Sequence, residues 1–198
     1  MRTPEQTLIA RFFSAPVGVQ FNDAVKAIVL ARGWDAPQAA RLYAMTNMVG
    51  ADALTACMNA KYHYLFWRPI TAIRLADQDG NDATAADPAW RPLLATPPHP
   101  EYPSNHACFE GAVGEVLAAA LGTDRIDLVL TSTATADTMP ARYYATVRDL
   151  VDEVMDARIW GGLHFRVSDE VGRDLGRAVA GWALERAFRP APAVAAAQ

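Results

Sequence analysis

The longest uninterrupted helical pattern in the sequence places the strongest constraint on the fold. It begins at Asp35, a cap residue followed by Pro37 in the first turn, and apolar residues then recur at helical spacing to about Trp67. Gly50 is the one residue inside this stretch that disfavours a helix. Pro69 ends or bends it, because a residue before proline avoids helical backbone angles. The pattern predicts one helix that is long for a globular domain.

Further helices are predicted from caps, prolines and glycines on either side of it. They begin at Thr3 and near Asn22, cover 70–75, and run from Ser104 to Leu121, from Pro140 to Trp160, and from about Asp169 to Phe188 with Ser168 as cap. We find no internal repeat and no convincing strand pattern. The sequence therefore predicts an all-α helical bundle, with a single domain over 1–188 and a C-terminal tail over 189–198.

Composition excludes several classes of function. The net charge is -4 and no Lys/Arg-rich block occurs, so we expect no nucleic-acid partner. No apolar run approaches the ~18 residues of a membrane span, and the chain shows no signal peptide. The compartment stays open, cytoplasmic by default or exported if the chain is trimmed. Cys57 and Cys108 lie in apolar helical patterns and are predicted to be buried free thiols.

Residues 77–103 interrupt the helical pattern with a long loop rich in Asp, Asn, Gly and Pro. Its acidic part does not match the spacing of an EF-hand calcium loop, because Gly80 comes too early and the distal Glu is missing. Long loops in compact domains are often functional, and this one leads directly to Ser104.

The start of the helix after this loop is the first candidate for a functional site. Ser104 is placed to cap it, and Asn105 and His106 then occupy its first positions, where backbone N–H groups lack intrahelical partners. Such an end binds anions and keeps a histidine neutral. The alternative is a serine that only caps and a histidine with no function.

Two cations enclose a strongly aromatic stretch, which makes it the second candidate. Lys61 and Arg68 are seven residues apart, so on one helix they would share a face about 10 Å along the axis. Arginine suits two-pronged contact with an oxyanion and lysine adds a point charge. Two cations extended over apolar surface are the alternative.

The third candidate combines Arg158 near a helix end with His164 after a double glycine, which presents the imidazole from a turn. Each stretch alone could be structural. Together they supply three cations, a hydroxyl, a helix start and two imidazoles, which suits a compact tetrahedral oxyanion such as phosphate or vanadate.

The order and internal spacing of the three stretches resemble a known signature. Lys61-x6-Arg68-Pro69, Pro103-Ser104-Asn105-His106 and Arg158-x5-His164 resemble that of the vanadium-dependent haloperoxidase and type 2 phosphatidic acid phosphatase (PAP2) superfamily. The amino-acid sequences of segments 60–74 and 97–112 resemble those of the soluble bacterial haloperoxidase branch of this superfamily. The resemblance implies an all-α bundle, vanadate as cofactor, and oxidation of halide by hydrogen peroxide to hypohalous acid, with a small organic acceptor left open.

The resemblance also implies roles for individual residues. His164 would be the axial ligand of vanadium, or the nucleophile of a phosphatase, and His106 the acid-base residue. The oxyanion would be held by Lys61, Arg68, Ser104, Asn105 and Arg158. His99 lies where bromoperoxidases of the family tend to carry histidine, which favours bromide or iodide over chloride.

The sequence departs from the family pattern at several positions. Asn105 replaces a glycine and Ala157 a serine, while Ser168 stands where an aspartate usually follows the axial histidine and Asp169 comes one residue later. Asp169, Ser168 or the backbone could then orient His164. The chain is also short for the family, as in a truncated or minimal form, so a homo-oligomer is one way to cover exposed apolar surface.

Two other functions remain open at this stage. The first is a soluble acid phosphatase that uses the same pocket, because phosphate and vanadate share shape and charge. The second is a catalytically weakened protein that only binds an oxyanion.

Overall fold

The computed structural model describes residues 2–189, which form seven α-helices and one small sheet. The helices are α1 (Pro4–Phe12), α2 (Val17–Arg32), α3 (Ala36–Tyr64), α4 (Pro69–Arg74), α5 (Asn105–Leu121), α6 (Val147–Trp160) and α7 (Arg166–Arg186). The strands are β1 (Arg125–Thr131) and β2 (Ala141–Thr146). The fold is thus a helical bundle, as predicted. The single-domain assignment stays a prediction, and the tail predicted from 189 lies outside the described residues from 190 onward.

The long helix α3 begins as the sequence indicates and ends earlier. The Asp35 side chain accepts a hydrogen bond from the backbone N–H of Gln38, whose own side chain reaches back to the Asp35 N–H. The helix ends at Tyr64, and Leu65 follows in a left-handed conformation with φ 50°. Arg68 therefore lies beyond α3, at the N-cap position of α4. The prediction that Lys61 and Arg68 share one helix face is wrong.

The antiparallel hairpin is a feature that sequence reasoning missed. Every second residue of β1 is buried, and β1 pairs with β2 in a register that sets Val129 opposite Tyr143. The predicted helix from Pro140 begins only at Val147, where the Thr146 side chain accepts a hydrogen bond from the Asp149 N–H. Alternating burial and aromatic residues are strand signals. The proline at a plausible helix start led instead to the prediction of a helix from Pro140.

Two other predicted helix starts are also wrong. Helix α2 begins at Val17, well before Asn22, and α7 begins at Arg166 with Phe165 at its N-cap position. Ser168 is consequently a buried residue of the first turn of α7 and does not cap it.

Helix α5 is the centre of the bundle and packs against α3, α6 and α7. Its contact with α7 depends on small residues: a Cβ on Gly176 would collide with the carbonyl oxygen of Cys108, and one on Gly111 with that of Arg173. The two backbones therefore touch. This close crossing brings the first turn of α7 against the first turn of α5, where the Ser104 N–H donates to the Ser168 carbonyl at 2.9 Å.

Cys57 and Cys108 are buried free thiols, as predicted. Among residues 2–189, none of the helices combines the length and the apolar character that a membrane crossing requires.

Candidate active site

The three predicted stretches meet at one end of the bundle. The last turn of α3 brings Lys61, the start of α4 brings Arg68, the start of α5 brings Ser104, Asn105 and His106, the last turn of α6 brings Arg158, and the turn before α7 brings His164. The proline-rich segment 97–103 runs through the middle of this group and adds His99 and Glu101.

Glu101 holds His164 in one orientation. Its carboxylate is fully buried, and Oε1 lies 2.7 Å from Nδ1 of His164 and accepts the Phe165 N–H at 3.0 Å. The second oxygen accepts the Ser168 hydroxyl at 2.6 Å. An ionised carboxylate can accept all three of these hydrogen bonds, because it carries no proton of its own. Burial raises the pKa of Glu101, and the hydrogen bond from Ser168 opposes that rise.

Contacts on the opposite side of the ring define the tautomer of His164. Nη1 of Arg68 lies 3.2 Å from Nε2 and donates to the Leu163 carbonyl at 2.9 Å. Because a guanidinium only donates, Nε2 must carry the lone pair, so the proton is on Nδ1 and faces Glu101. Burial, reinforced by the charges of Arg68 and Lys61, holds the pKa of His164 well below its usual range. The ring is therefore neutral, with a lone pair on Nε2.

Arg68 also contacts a second histidine, His99. The Arg68 Nε donates to the His99 carbonyl at 3.2 Å, and Nη2 lies 3.1 Å from the His99 Nδ1. Burial lowers the pKa of His99 despite the nearby Pro100 carbonyl. One guanidinium thus links the predicted halide-selectivity residue to the predicted axial ligand.

Lys61 is fully buried, and its ammonium contacts carbonyl oxygens alone. Nζ donates to Pro100 at 2.9 Å, to Glu101 at 2.8 Å and to Pro103 at 2.5 Å. An ammonium has three N–H groups, and all three are used here. Burial lowers the pKa of Lys61 to about 8, and the charge of Arg68 adds to that effect.

Ser104 occupies the N-cap position of α5, but its hydroxyl makes no capping bond, which corrects the sequence prediction. The Ser104 Oγ is buried beside the Asp169 carboxylate, but the two groups do not form a hydrogen bond of normal geometry. Asn105 has no positive φ and donates through Nδ2 to the Met58 sulfur at 3.3 Å, while its buried Oδ1 lacks a partner. The family's glycine is therefore not required here by backbone conformation.

His106 and Arg158 face a cavity of about 540 Å³. Its remaining wall is mostly apolar and comes from 14–17, Leu94, Ala95, Pro97 and Leu163. Arg158 is buried and donates through Nη1 to the Phe13 carbonyl at 2.7 Å, whereas its Nε lacks a partner. Burial, with the charge of Arg158 next, holds the pKa of His106 well below its usual range. His106 is thus a neutral imidazole at the cavity wall.

Two buried carboxylates lie near enough to Arg158 for its charge to lower their pKa values. Glu110 of α5 and Asp169 of α7 are inaccessible, and both Asp169 oxygens lack a hydrogen-bond partner. Burial raises the pKa of Asp169 to about 7, although the Ser104 hydroxyl beside it and the charge of Arg158 oppose the rise. Burial also raises the pKa of Glu110, with Arg158 opposing it.

The sequence suggested Asp169, Ser168 or the backbone as the group that orients His164. In the structure, Glu101 contacts the Nδ1 atom instead. Asp169 lies buried beside Ser104, and Ser168 reaches His164 only through Glu101. Glu101 precedes Ser104 by three residues in the chain, and a lone acidic residue among prolines was the available signal.

Comparison with known proteins identifies the family of the chain. A family model described as the VCPO second helical-bundle domain matches residues 41–191. The vanadium chloroperoxidase of Curvularia inaequalis is 26% identical over 180 residues, a match that covers 69% of this chain and 29% of that protein.

Two solved structures extend the comparison. A bacterial vanadium-dependent iodoperoxidase has a TM-score of 0.80 and 27% identity over 93% of this chain and 44% of its own. A holo-type bacterial vanadium-dependent chloroperoxidase has a TM-score of 0.75 and 20% identity over 91% of this chain and 43% of its own, a likeness of fold. The chain thus spans less than half the length of these relatives.

The fold is a helical bundle in which buried cations and histidines from several elements lie together around the start of α5. The family model covers most of the chain, and the chain belongs to the vanadium haloperoxidase family.

Proposed function

We propose that the protein oxidises bromide or iodide with hydrogen peroxide in a vanadate-dependent reaction. The observation that carries this proposal is the neutral ring of His164, whose Nδ1–H is held by Glu101 and whose Nε2 lone pair lies among cations. A neutral imidazole nitrogen with a carboxylate behind it is a strong metal ligand. The matches to an iodoperoxidase and a chloroperoxidase support the same assignment.

The residues present fit a tetrahedral oxyanion. The buried Arg158 Nε lacks a partner, the Ser104 hydroxyl has no hydrogen bond of normal geometry, and Asn105 begins a helix whose first N–H groups have no intrahelical acceptor. An unpaired buried donor is costly, so an acceptor brought by a ligand would offset that cost. Arg68, whose Nη1 lies beside Nε2 of His164, would add a cation at the oxyanion. Lys61 would contribute its charge.

When bound, vanadate supplies Lewis-acid chemistry without a change of oxidation state. Side chains of this protein would bind the vanadate, balance its charge and transfer protons. His164 would hold the metal through Nε2, Glu101 would prevent rotation of the ring, and Arg68 and Arg158 would balance the negative charge. His106, neutral at the cavity wall, exchanges a proton with peroxide or with the product. The apolar wall limits water at the site.

The proposed halide preference rests on His99. The family places histidine here in bromoperoxidases, and in this chain His99 contacts Arg68, which contacts the proposed axial ligand.

A phosphatase is the second candidate, because the Nε2 lone pair could equally attack phosphorus. The leaving alcohol would then take its proton from water, and His106, as a neutral base, would activate the water that hydrolyses the phosphohistidine. The lowered pKa of His164, caused mainly by burial, keeps this nucleophile unprotonated near neutral pH. The relatives named above are haloperoxidases, which favours the first candidate.

Bromination of a phenolic dye by the purified chain tests the proposal. We expect turnover with hydrogen peroxide and bromide only after loading with orthovanadate, and its loss in His164→Ala. His63→Ala is the matched control, since His63 is exposed on α3. Bromination that survives in His164→Ala would exclude the site. Vanadate binding without bromination would support a phosphatase if nitrophenyl phosphate is hydrolysed, and an oxyanion-binding protein if it is not.

A further inference from the structure

The two cysteines of the chain lie side by side where α3 packs against α5, and the proposed reaction uses neither of them. Both thiols are fully buried. Their neighbours fix this placement: the Asn105 side chain donates to the Met58 sulfur at 3.3 Å, and the Cys57 thiol donates to the Pro103 carbonyl at 3.5 Å. Residues 57 and 58 of α3 therefore lie against the first turns of α5, where Cys108 occurs.

The surroundings make the two thiols chemically different. The thiol of Cys108 lies close enough to lower the pKa of Cys57 as a hydrogen-bond donor, and the charge of Lys61 acts in the same direction against the effect of burial. The same contact, together with burial, raises the pKa of Cys108. The thiolate is the reactive form of cysteine. Cys57 is thus the nucleophile of the pair, and Cys108 is the partner that keeps its proton.

We propose that Cys57 and Cys108 form an oxidation site, at which hydrogen peroxide produces an intramolecular disulfide between α3 and α5. The Cys57 sulfur attacks the O–O bond of peroxide, which gives a sulfenic acid and releases one water. The Cys108 sulfur then attacks the Cys57 sulfur, so that the S–S bond forms and the S–O bond breaks. The hydroxyl leaves with the Cys108 proton as a second water. The dithiol loses two electrons and two protons, and peroxide is reduced to water.

The disulfide would lie one turn from two residues of the proposed oxyanion site. Cys57 precedes Lys61 by one turn of α3, and the Cys108 N–H donates to the Ser104 carbonyl at 3.0 Å, one turn into α5. The bond would close a loop that contains α4 and the proline-rich segment, and it would stabilise the fold mainly by restricting the unfolded chain. The proposal rests on the proposed function only for the source of peroxide, which is the co-substrate there.

Treatment of the purified wild-type chain with hydrogen peroxide tests the proposal. Vanadate and halide are left out, so that the result does not depend on haloperoxidase activity. We expect the intact mass to fall by two hydrogen atoms and a tryptic map to show peptides joined through Cys57 and Cys108. Dithiothreitol should restore both thiols. An unchanged mass, a gain of oxygen atoms without a cross-link, or a disulfide between two copies of the chain would overturn the proposal.

A larger reagent shows whether the reaction belongs to the folded protein. Peroxide is small, whereas alkylation of a buried thiol by iodoacetamide requires a wider opening of the structure. We compare the rate of each reaction in the native protein with its rate in the urea-unfolded chain. Folding should slow alkylation much more than it slows disulfide formation. Equal slowing of both reactions would mean that the disulfide forms in the unfolded chain, which would refute a site in the native structure.

Two variants test the roles of the individual thiols. Cys108→Ser keeps a donor beside Cys57 but cannot complete the disulfide, so dimedone should trap a sulfenic acid at Cys57. Cys57→Ser is the matched control, in which the protonated Cys108 should give little adduct. Faster trapping at Cys108 than at Cys57 would overturn the assignment of the nucleophile. If either variant fails to fold, the wild-type mass and peptide map still decide whether the disulfide forms.

The stability of the oxidised wild type tests whether the bond fits the native packing of α3 against α5. We expect its urea midpoint to exceed that of the reduced protein, and dithiothreitol should reverse the shift. A lower midpoint after oxidation would contradict a cross-link that the native structure accommodates.

Discussion

At the scale of single residues, Glu101 determines more of the site than its place in the sequence indicates. It accepts hydrogen bonds from the His164 ring, the Phe165 backbone and the Ser168 hydroxyl, and each of these comes from the turn before α7 or from its start. One carboxylate therefore joins the proline-rich segment to α7 and sets the direction of the proposed ligand nitrogen.

Glu101→Gln should weaken orthovanadate binding by about 10–100-fold, the usual cost of losing a partner behind a metal-ligating histidine. The amide still fills the space, but it presents only one acceptor oxygen to three donors. Isothermal titration measures the affinity, and Glu115→Gln on the exposed side of α5 is the control. Equal affinities in wild type and Glu101→Gln would show that the carboxylate does not act through His164.

At the scale of secondary-structure elements, the crossing of α5 and α7 connects packing to the site. A side chain on Gly172 would contact the Ser104 backbone, and one on Gly176 the carbonyl of Cys108. The absence of Cβ atoms lets the N-termini of the two helices meet, where Ser104 bonds to Ser168. The Ser104 hydroxyl depends on this crossing for its position.

Gly176→Ala should destabilise the protein by about 1–3 kcal/mol, because the helices must separate to admit a methyl group. Gly181→Ala on the same helix meets nothing within 4 Å and should stabilise it by up to about 1 kcal/mol through helix propensity. Urea unfolding of both variants measures the difference. If Gly176→Ala were as stable as Gly181→Ala, the helices would not cross at this distance.

At the scale of the whole molecule, buried ionisable groups make stability depend on pH in opposing ways. The lowered pKa values of His106 and His164, caused mainly by burial, reduce stability as pH falls below the ordinary histidine value of 6.5. Asp169 acts in the other direction. Its pKa is raised from 3.8 to about 7 by burial, so its contribution is complete below pH 3.8 and is lost as pH rises through 7.

Asp169→Asn isolates this contribution. The stability of the variant relative to wild type should rise with pH between about 4 and 7, toward a gain of at most about 4 kcal/mol once the buried carboxylate would be ionised. Urea unfolding at pH 4.5 and pH 8 measures it. Asp174→Asn, on the exposed side of α7, should show no such rise. A pH-independent difference for Asp169→Asn would mean that Arg158 keeps this carboxylate ionised throughout.

The sequence by itself determined the features that depend on neighbours along the chain. Asp35 begins α3, Gly122 ends α5 in a left-handed conformation, and the double glycine presents His164 from a turn. Caps, glycines and apolar spacing act over one or two turns of backbone, so they can be predicted locally. The three motifs also indicated the family, because their residue types and spacings are read without any knowledge of contacts.

Tertiary structure alone decided which groups face one another inside the site. Glu101 and His164 are 63 residues apart, and Lys61 reaches carbonyls 39 to 42 residues away. The hairpin also formed where the proline at 140 suggested a helix. Strand β2 is stabilised by pairing with β1, and the local propensity of the β2 residues does not reflect this partner. A buried hydrogen bond depends on where two distant backbones pack, and packing is a property of the whole chain.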